Sequence, residues 1–144
     1  MWTYNGELVE TIDDKFIGFV YLITNLATGK KYIGKKLTKF SRTKTIKGKK
    51  KKVKIDSDWR TYWSSSDDVK KDVELLGEEQ FTREILMFCL TKGTCSYFEA
   101  KYQMLNEVLE YPDLWYNGQV MCRVHRNHIK LSHEPIQVQE KKLT

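Results

Sequence analysis

The chain has 144 residues, of which 40% are hydrophobic, and a formal net charge of +6. This length favours one domain with a substantial core, while the lack of both a secretory signal and a run of roughly 20 apolar residues argues against a secreted or membrane protein. The three cysteines have no framework spacing, which is typical of free thiols, so we expect a cytoplasmic protein.

The first predicted element is a β-hairpin in an N-terminal extension, residues 1–15. The pair Asn5-Gly6 in "YNGE" is typical of a two-residue hairpin turn, because both residues tolerate a positive φ. We therefore expect the extension to form two short strands.

Two longer strands are predicted next, over residues 16–24 (FIGFVYLIT) and 30–34 (KKYIG). Both are rich in β-branched and aromatic residues, which are enriched in strands. If Thr24 faces Gly29, then Tyr21 lies directly opposite Tyr32. Directly opposed residues share a face of the sheet, so the two phenols would project together, either as core aromatics or as part of a site.

Most of the positive charge is concentrated in residues 44–54, which contain seven lysines and no acid and leave −1 on the rest of the chain. Neighbouring like charges repel, so we expect a mobile basic loop over 43–58. Such a loop favours nucleic acid as a partner, because neutralised phosphates release counterions, although many lysine runs are only solvated surface. The candidate nucleic-acid contacts are Lys35, Lys36, Lys49, Lys50, Lys51 and Lys52.

A first helix is predicted between Ser66, a typical N-cap, and Gly77, a typical helix end. Its apolar positions Val69, Val73 and Leu76 have helical spacing. Residues 81–89 (FTREILMFC) predict a third strand.

A second helix is predicted from about 96 to 110, with Pro112 beyond its end. Its apolar stripe would consist of Phe98, Tyr102, Leu105 and Leu109. The whole order of elements predicts an α+β fold with a small, mainly antiparallel three-stranded sheet flanked by helices.

The strand pair also contains "FVY" (19–21) and, after ten residues, "YIG" (32–34). This spacing resembles the GIY-YIG nuclease superfamily, although Phe19 and Val20 stand where its name has Gly and Ile. The resemblance covers residues 16–118, which implies a GIY-YIG-like nuclease domain there and a C-terminal extension or tail over 119–144. It also implies a divalent metal ion, Mg²⁺ or Mn²⁺, and a DNA substrate.

The resemblance extends to three further positions. Arg42 stands eight residues after Gly34, where family members have an arginine on a helix. Glu99 in "YFEAKYQ" is similar to the family's metal-binding glutamate, and Asn117 in "LWYNG" to an asparagine near the domain end. The implied catalytic residues are therefore Tyr21, Tyr32, Arg42, Glu99 and Asn117, with Glu99 as the metal ligand.

One position departs from the family pattern. Several members have a histidine or tyrosine one helical turn after the arginine, where this chain has Ile46. Tyr62 or a lysine is the alternative source of that group.

Hydrolysis of a phosphodiester needs a deprotonated water and stabilisation of charge on the phosphate. A phenol has an ordinary pKa of ~10, so it acts as a base only where cations favour the phenolate. Lys35, Lys36, Arg42 and the metal ion are the candidate cations. We predict Tyr21 as the base, because it lies deeper along its strand than Tyr32. Arg42 would bind the non-bridging phosphate oxygens in a forked geometry.

Two of these residues also have purely structural alternatives. Ser96 to Glu99 (SYFE) fits a capping box, in which Glu99 only satisfies the helix terminus. If Thr94 is the cap instead, Glu99 lies inside the helix, where one carboxylate with phosphate and water suits a hard cation. Asn117 would bind phosphate or metal, or shape a turn with Gly118.

A competing metal site is "CRVHRNH", which offers Cys122, His125 and His128. Zinc needs about four ligands, so Cys89 or Cys95 would have to complete this set. We favour a DNA-facing surface here, formed with Arg123, Arg126 and Lys130.

The sequence thus predicts a divalent-metal-dependent DNA endonuclease. We expect it to be phage-encoded, to act in the host cytoplasm and to have weak sequence preference, since few residues are available for base reading. A homodimer is one possible assembly. The alternative function is a non-catalytic nucleic-acid-binding or interaction protein on the same fold.

Overall fold

A mixed five-stranded sheet is the centre of the computed structural model, which describes residues 1–132 and, for Arg42, the backbone alone. The strand order is β2-β1-β7-β3-β4, with β3 antiparallel to both of its neighbours and β1 parallel to β7. Two further strands, β5 and β6, form a separate antiparallel pair. The elements are β1 (Trp2–Tyr4), β2 (Glu7–Leu8), β3 (Gly18–Asn25), β4 (Lys31–Leu37), β5 (Lys39–Ile46), β6 (Lys49–Asp56), α1 (Asp67–Leu76), β7 (Phe81–Cys89) and α2 (Lys92–Leu105).

The predicted α+β class is confirmed, but the prediction of a three-stranded sheet is wrong. The three predicted strands form the antiparallel part of the sheet, and the N-terminal hairpin adds two more. Asn5 and Gly6 have φ of 50° and 83°, as the predicted hairpin turn requires. The hairpin joins the sheet because Trp2 is buried and its indole Nε1 donates to the Trp59 carbonyl at 2.7 Å.

Each face of the sheet has its own hydrophobic core. On one face Phe19 and Tyr21 of β3 pack with Trp2, Trp59 and the α1 residue Val69. On the other face Val20 packs with Ile33, Met87, Cys95, Phe98 and Val108, which α2 and the following turn supply in part. The alternating side chains of β3 are thus covered on both sides.

The bounds of the first helix match their prediction, but of its predicted apolar positions only Val69 and Val73 are buried, and Leu76 is exposed. The Ser66 hydroxyl accepts from the Val69 N–H and Gly77 ends the helix with φ of 92°. None of the helices in residues 1–132 combines the length and the apolar character needed to cross a membrane.

The second helix is shifted toward the N-terminus relative to its prediction. Thr91 caps it, since its hydroxyl accepts from the Thr94 N–H. Helical geometry ends at Leu105, and Glu107 has a φ of 54°. That change of direction buries Val108 and leaves Leu105 and Leu109 about half exposed, so the predicted apolar stripe is wrong at those two positions.

The basic segment is a two-stranded antiparallel ribbon, β5 with β6, rather than the predicted mobile loop. Its turn is Lys47-Gly48, with φ of 50° and 76°, again the geometry of a two-residue hairpin. The expectation of a helix after "YIG" is therefore also wrong, and Arg42 lies in β5 opposite Val53.

Candidate active site

The outer edge of β4 borders no further strand within the described residues. Of its outward N–H groups, which occur at alternate residues, one donates to a backbone carbonyl and the next to an amide oxygen, while a third lies next to a carboxylate whose pKa it lowers. Because alternate N–H groups of a strand point the same way, these three partners lie side by side along the edge. The pairs are Lys31 with the Leu114 carbonyl at 2.9 Å, Ile33 with Asn117 Oδ1 at 3.1 Å, and Lys35 with the Glu99 carboxylate.

The two tyrosines of the motif share one face of the sheet, as predicted, but the predicted pairing is wrong by two residues. Tyr21 lies opposite Gly34, and Tyr32 lies opposite Ile23. The turn is longer than expected because Asn25 Oδ1 accepts from the Ala27 N–H at 3.0 Å and organises the loop. A shift of two residues keeps both side chains on the same face, and the ring centroids are 6.2 Å apart.

Gly34 is the position that gives the Tyr21 phenol its space. A Cβ atom there would lie 2.5 Å from the Tyr21 hydroxyl oxygen and 2.8 Å from Cε1 of Tyr32. Any other residue would displace at least one of the two rings. The glycine of "YIG" is thus explained by the packing of the two tyrosines that flank it.

A third phenol, Tyr62, joins the pair from the loop after the ribbon. Its ring is 6.1 Å from that of Tyr21, and its hydroxyl contributes to raising the pKa of Tyr21. The Lys36 ammonium lies 4.1 Å above the Tyr62 ring and forms an ion pair with Asp58 at 2.7 Å. Tyr62 and a lysine were the two candidates to replace the group absent at Ile46; Tyr62 lies next to Tyr21, and Lys36 lies next to Tyr62.

Both motif phenols are protonated in the free protein at neutral pH. Burial raises the pKa of Tyr21 well above its ordinary value, and the neighbouring hydroxyl of Tyr62 raises it further. Burial also raises the pKa of Tyr32, whose hydroxyl lies 3.4 Å from Ser65 Oγ. The negative charge of Glu99 raises the pKa of both phenols as well, which indicates that the carboxylate lies near them.

The lysines that were expected to favour a phenolate have other partners. The Lys36 ammonium pairs with Asp58, and the Lys35 ammonium donates to Ser96 Oγ at 2.5 Å. In the free protein, therefore, burial rather than a field of cations determines the pKa of Tyr21.

Glu99 lies inside α2, because Thr91 rather than Ser96 or Thr94 is the N-cap. The capping-box interpretation of Ser96–Glu99 is therefore wrong. Half-burial raises the pKa of Glu99, while the charge and the backbone N–H of Lys35 lower it in part. The carboxylate is thus held at the edge of β4 without a full ion pair.

Asn117 is buried and both ends of its amide bind the backbone of Ile33. Its Oδ1 accepts from the N–H at 3.1 Å, and its Nδ2 donates to the carbonyl at 2.7 Å. Gln103 donates to the same carbonyl at 3.0 Å. These bonds fix the strand between Tyr32 and Gly34, so the geometry makes Asn117 a positioning residue for the edge.

The ribbon residues are separate from this cluster. The side chains of Lys49, Lys50, Lys51 and Lys52 are exposed and make no hydrogen bond or ion pair within the described residues. The chain nevertheless connects the ribbon to the cluster, since β4 leads into the ribbon and the Tyr62 loop follows it.

Arg83 is a residue of this region that the sequence reasoning missed. Its guanidinium is buried between the rings of Trp2, at 4.8 Å, and Trp63, at 4.2 Å. One of its nitrogens donates to the carbonyls of Arg60, at 3.3 Å, and Tyr62, at 2.8 Å. It thereby holds the loop that presents Tyr62, and the available signal was an arginine alternating with apolar residues in "FTREILMFC".

The alternative zinc set has no support from the structure. Within residues 1–132, no three His, Cys, Asp or Glu side chains form a group that could hold a metal ion. His125 Nδ1 accepts from the Asn127 N–H and His128 Nδ1 accepts from the His125 N–H, so both imidazoles cap a short turn. Part of the predicted tail, residues 133–144, lies outside the described residues.

Glu99 suits a hard divalent cation that takes a single carboxylate from the protein. Mg²⁺ typically takes one or two carboxylates together with substrate phosphates and water. Glu99 offers one half-buried carboxylate without an ion-pair partner among the described residues, beside two phenols.

A comparison with protein families identifies the chain. A family model described as "Putative endonuclease segE, GIY-YIG domain" matches residues 2–120. This range includes the N-terminal hairpin, the ribbon and every residue of the cluster at the β4 edge. No curated protein and no solved structure matches the chain.

Proposed function

Because the chain belongs to the GIY-YIG endonuclease domain family, we propose that it is a divalent-metal-dependent enzyme that hydrolyses DNA phosphodiester bonds. The observation that supports this most directly is the convergence of Glu99 with Tyr21 and Tyr32 at the outer edge of β4. A carboxylate and two phenols meet there on an edge that Asn117 and Gln103 hold in place.

The side chains have distinct proposed roles. Glu99 holds the metal ion, and the phenols of Tyr21 and Tyr32 orient the attacking water and accept its proton. Tyr62 orders the Tyr21 hydroxyl, and Arg42 binds the scissile phosphate. Since burial keeps Tyr21 protonated in the free protein, its service as a base depends on positive charge that arrives with the substrate.

A divalent cation bound at Glu99 would supply that positive charge, polarise the phosphate and lower the pKa of a bound water. The chain itself excludes bulk water from Tyr21, which is 1% exposed. It leaves Tyr32 half-buried beside Ser65, where a phosphate can reach it. This difference supports a buried phenol for proton transfer and an accessible one for orientation.

We also propose that sequence preference is weak, because most contacts would be made to phosphates rather than to bases. Origin in a phage, action in the host cytoplasm and assembly into a homodimer remain predictions. A map of cleavage sites on a long DNA tests the weak sequence preference, and a single long recognition site would contradict it.

The test of the enzyme is Glu99→Gln with plasmid DNA and Mg²⁺. We expect cleavage to fall by more than about 100-fold, since even groups that only orient a metal ligand are worth about 10–100-fold. DNA binding should persist, because the ribbon is unchanged. Glu74→Gln, which replaces an exposed glutamate of α1, is the matched control and should cut at the wild-type rate.

This variant also separates function from stability. Burial raises the pKa of Glu99 above its value in the unfolded chain, so at neutral pH the ionised carboxylate opposes folding, and this effect disappears as the pH falls through that pKa. Glu99→Gln should therefore raise Tm at neutral pH while it abolishes cleavage. A lower Tm would indicate a purely structural role.

The alternative is a non-catalytic nucleic-acid-binding protein, which the exposed basic ribbon and the departures at Phe19, Val20 and Ile46 support. In that case wild-type protein would bind DNA but cut none of supercoiled, linear or branched substrates at any Mg²⁺ or Mn²⁺ concentration.

A further inference from the structure

The ribbon of β5 and β6 has two chemically different faces. Successive side chains of a strand alternate between faces, and directly paired residues share one. On one face a hydroxyl residue of β5 lies opposite a lysine of β6 at three consecutive pairs. These pairs, which we call the hydroxyl–lysine face, are Ser41 with Lys54, Thr43 with Lys52, and Thr45 with Lys50.

The opposite face is mixed in character. Near its base Phe40 pairs with Ile55, and Val53 and Ile55 are both half-buried. Near its tip Lys44 lies directly opposite Lys51, an unfavourable pairing of like charges. By contrast, all six residues of the hydroxyl–lysine face are exposed, so this face is free along its whole length.

Protection of the ribbon against edge-to-edge aggregation explains only part of this pattern. Lysines on an exposed strand edge do prevent such pairing. That role requires charge alone, whereas here each lysine of one face is also matched with a hydroxyl. Residues 40–55 contain no acid, so the face presents hydrogen-bond donors and positive charge together, which is the chemistry that binds phosphate and base edges.

The base of the ribbon is fixed to the sheet. The Thr38 N–H donates to the Ile17 carbonyl at 2.9 Å, and its hydroxyl donates to the Phe16 carbonyl at 3.2 Å. On the returning strand the Ser57 N–H donates to the Thr38 carbonyl at 2.8 Å. A ligand bound to the ribbon is therefore held in a fixed position relative to β4, the strand that contains Tyr32.

We propose that the hydroxyl–lysine face lies in the major groove of B-form DNA and makes the protein select duplex DNA. This inference rests on the proposed function in taking DNA as the substrate. The major groove is about 12 Å wide and admits a two-stranded β-ribbon. The major groove of A-form RNA is deep and too narrow for side chains to read, and a single strand has no groove.

The test measures binding without cleavage, so that it is independent of the nuclease activity. Glu99→Gln protein in metal-free buffer is titrated with fluorescent duplex DNA, single-stranded DNA and duplex RNA of one sequence. Lys50→Ser with Lys52→Ser removes two charges from the hydroxyl–lysine face. Lys49→Ser with Lys51→Ser removes two charges from the same strand on the opposite face and is the matched control.

We expect the double variant Lys50→Ser with Lys52→Ser to bind duplex DNA about 10-fold more weakly, and the slope of log affinity against log salt concentration to fall in magnitude by about 2. The control double variant should bind no more than about 3-fold more weakly. Thr43→Val with Thr45→Val keeps the β-branched shape and should cost about 2–10-fold for the lost hydrogen bonds. Binding of duplex RNA should be weaker and insensitive to all three changes. Equal losses from both lysine pairs, or equal effects on RNA, would overturn the proposal.

Chemical protection locates the groove directly. Dimethyl sulfate methylates guanine N7, which lies in the major groove, and adenine N3, which lies in the minor groove. The complex should protect N7 and not N3, and the Lys50 and Lys52 variant should lose this protection. Protection of N3 alone, or of neither atom by a protein that still binds, would place the ribbon outside the major groove.

Discussion

Strand β4 and the ribbon that follows it are consecutive in the chain but differ in how their residues are held. At the β4 edge the N–H groups of Lys31 and Ile33 have defined acceptors. Tyr21 is 1% exposed and packs against Gly34, where there is no room for a Cβ. On the ribbon the lysine side chains lie in solvent, and only the ladder between the two strands organises them.

This difference separates positioning from attraction. A reacting group loses rate when it moves by a fraction of a bond length, so it belongs on a rigid, packed element. A phosphate-binding lysine acts through charge and tolerates movement. Changes at the β4 edge should therefore alter the rate of cleavage, while changes to the exposed ribbon lysines should alter affinity and its dependence on salt.

Among the tests of this distinction, the largest effect on the cleavage rate is expected from Tyr21→Phe and Tyr32→Phe. Each removes one hydroxyl and should leave the fold unchanged. Loss of a general base costs about 10²–10⁴-fold in rate, and we expect the larger loss for Tyr21, which is 1% exposed and whose ring lies 6.1 Å from that of Tyr62. Single-turnover cleavage, with protein in saturating excess over DNA, measures the rate loss.

The outcome also assigns the two phenols. A larger loss for Tyr32→Phe would make the accessible phenol the base, and wild-type rates for both would reduce the pair to core packing. Tyr4→Phe, at an exposed position of β1, is the control and should have no effect.

Much of the antiparallel part of the fold could be predicted because its signals are local. Ser66 and Gly77 bound α1 as their chemistry requires, and "FTREILMFC" is a strand. The register of Tyr21 with Tyr32 could not be predicted, because the side chain of Asn25 lengthens the turn. The buried role of Trp2 was missed as well, since a parallel pairing with β7 leaves no local pattern.

The ribbon was mistaken for a loop because seven lysines obscure its alternation. The signals were the hydroxyls at 41, 43 and 45 and the pair Lys47-Gly48. For the site, the residue types that meet at the β4 edge could be predicted from the sequence. It could not reveal that Asn117 is bound to the Ile33 backbone or that Arg83 supports Tyr62, since both depend on tertiary contacts.

A glycine in each region offers an intermediate test. Gly34→Ala places a Cβ 2.5 Å from the Tyr21 hydroxyl oxygen, so the ring must move, at a cost in unfolding free energy of about 1–3 kcal/mol and in rate of up to about 100-fold. Gly48→Ala in the ribbon turn meets no atom within 4 Å. Its φ of 76° makes alanine strained by about 1–2 kcal/mol, but the cleavage rate of bound DNA should not change. Equal rate losses from the two variants would contradict the distinction between the regions.

The smallest effect concerns Lys35, which lies on β4 but contributes charge. Burial raises the pKa of Glu99, and the positive charge of Lys35 opposes that rise. Lys35→Met removes the charge and keeps the backbone N–H next to Glu99, so the pKa of Glu99 should rise further. As the solution is acidified, metal binding should therefore be lost at a higher pH than in the wild type. Ser96→Ala removes the partner of the Lys35 ammonium without removing the charge. In this control the pH at which metal binding is half lost should stay in place or move far less.

Calorimetric titration with Mn²⁺ as a function of pH measures this midpoint pH without DNA, which separates the effect from any loss of phosphate contacts. A midpoint that stays in place, or moves to lower pH, would mean that Lys35 does not govern the ionisation of Glu99 and serves the β4 edge only through its backbone.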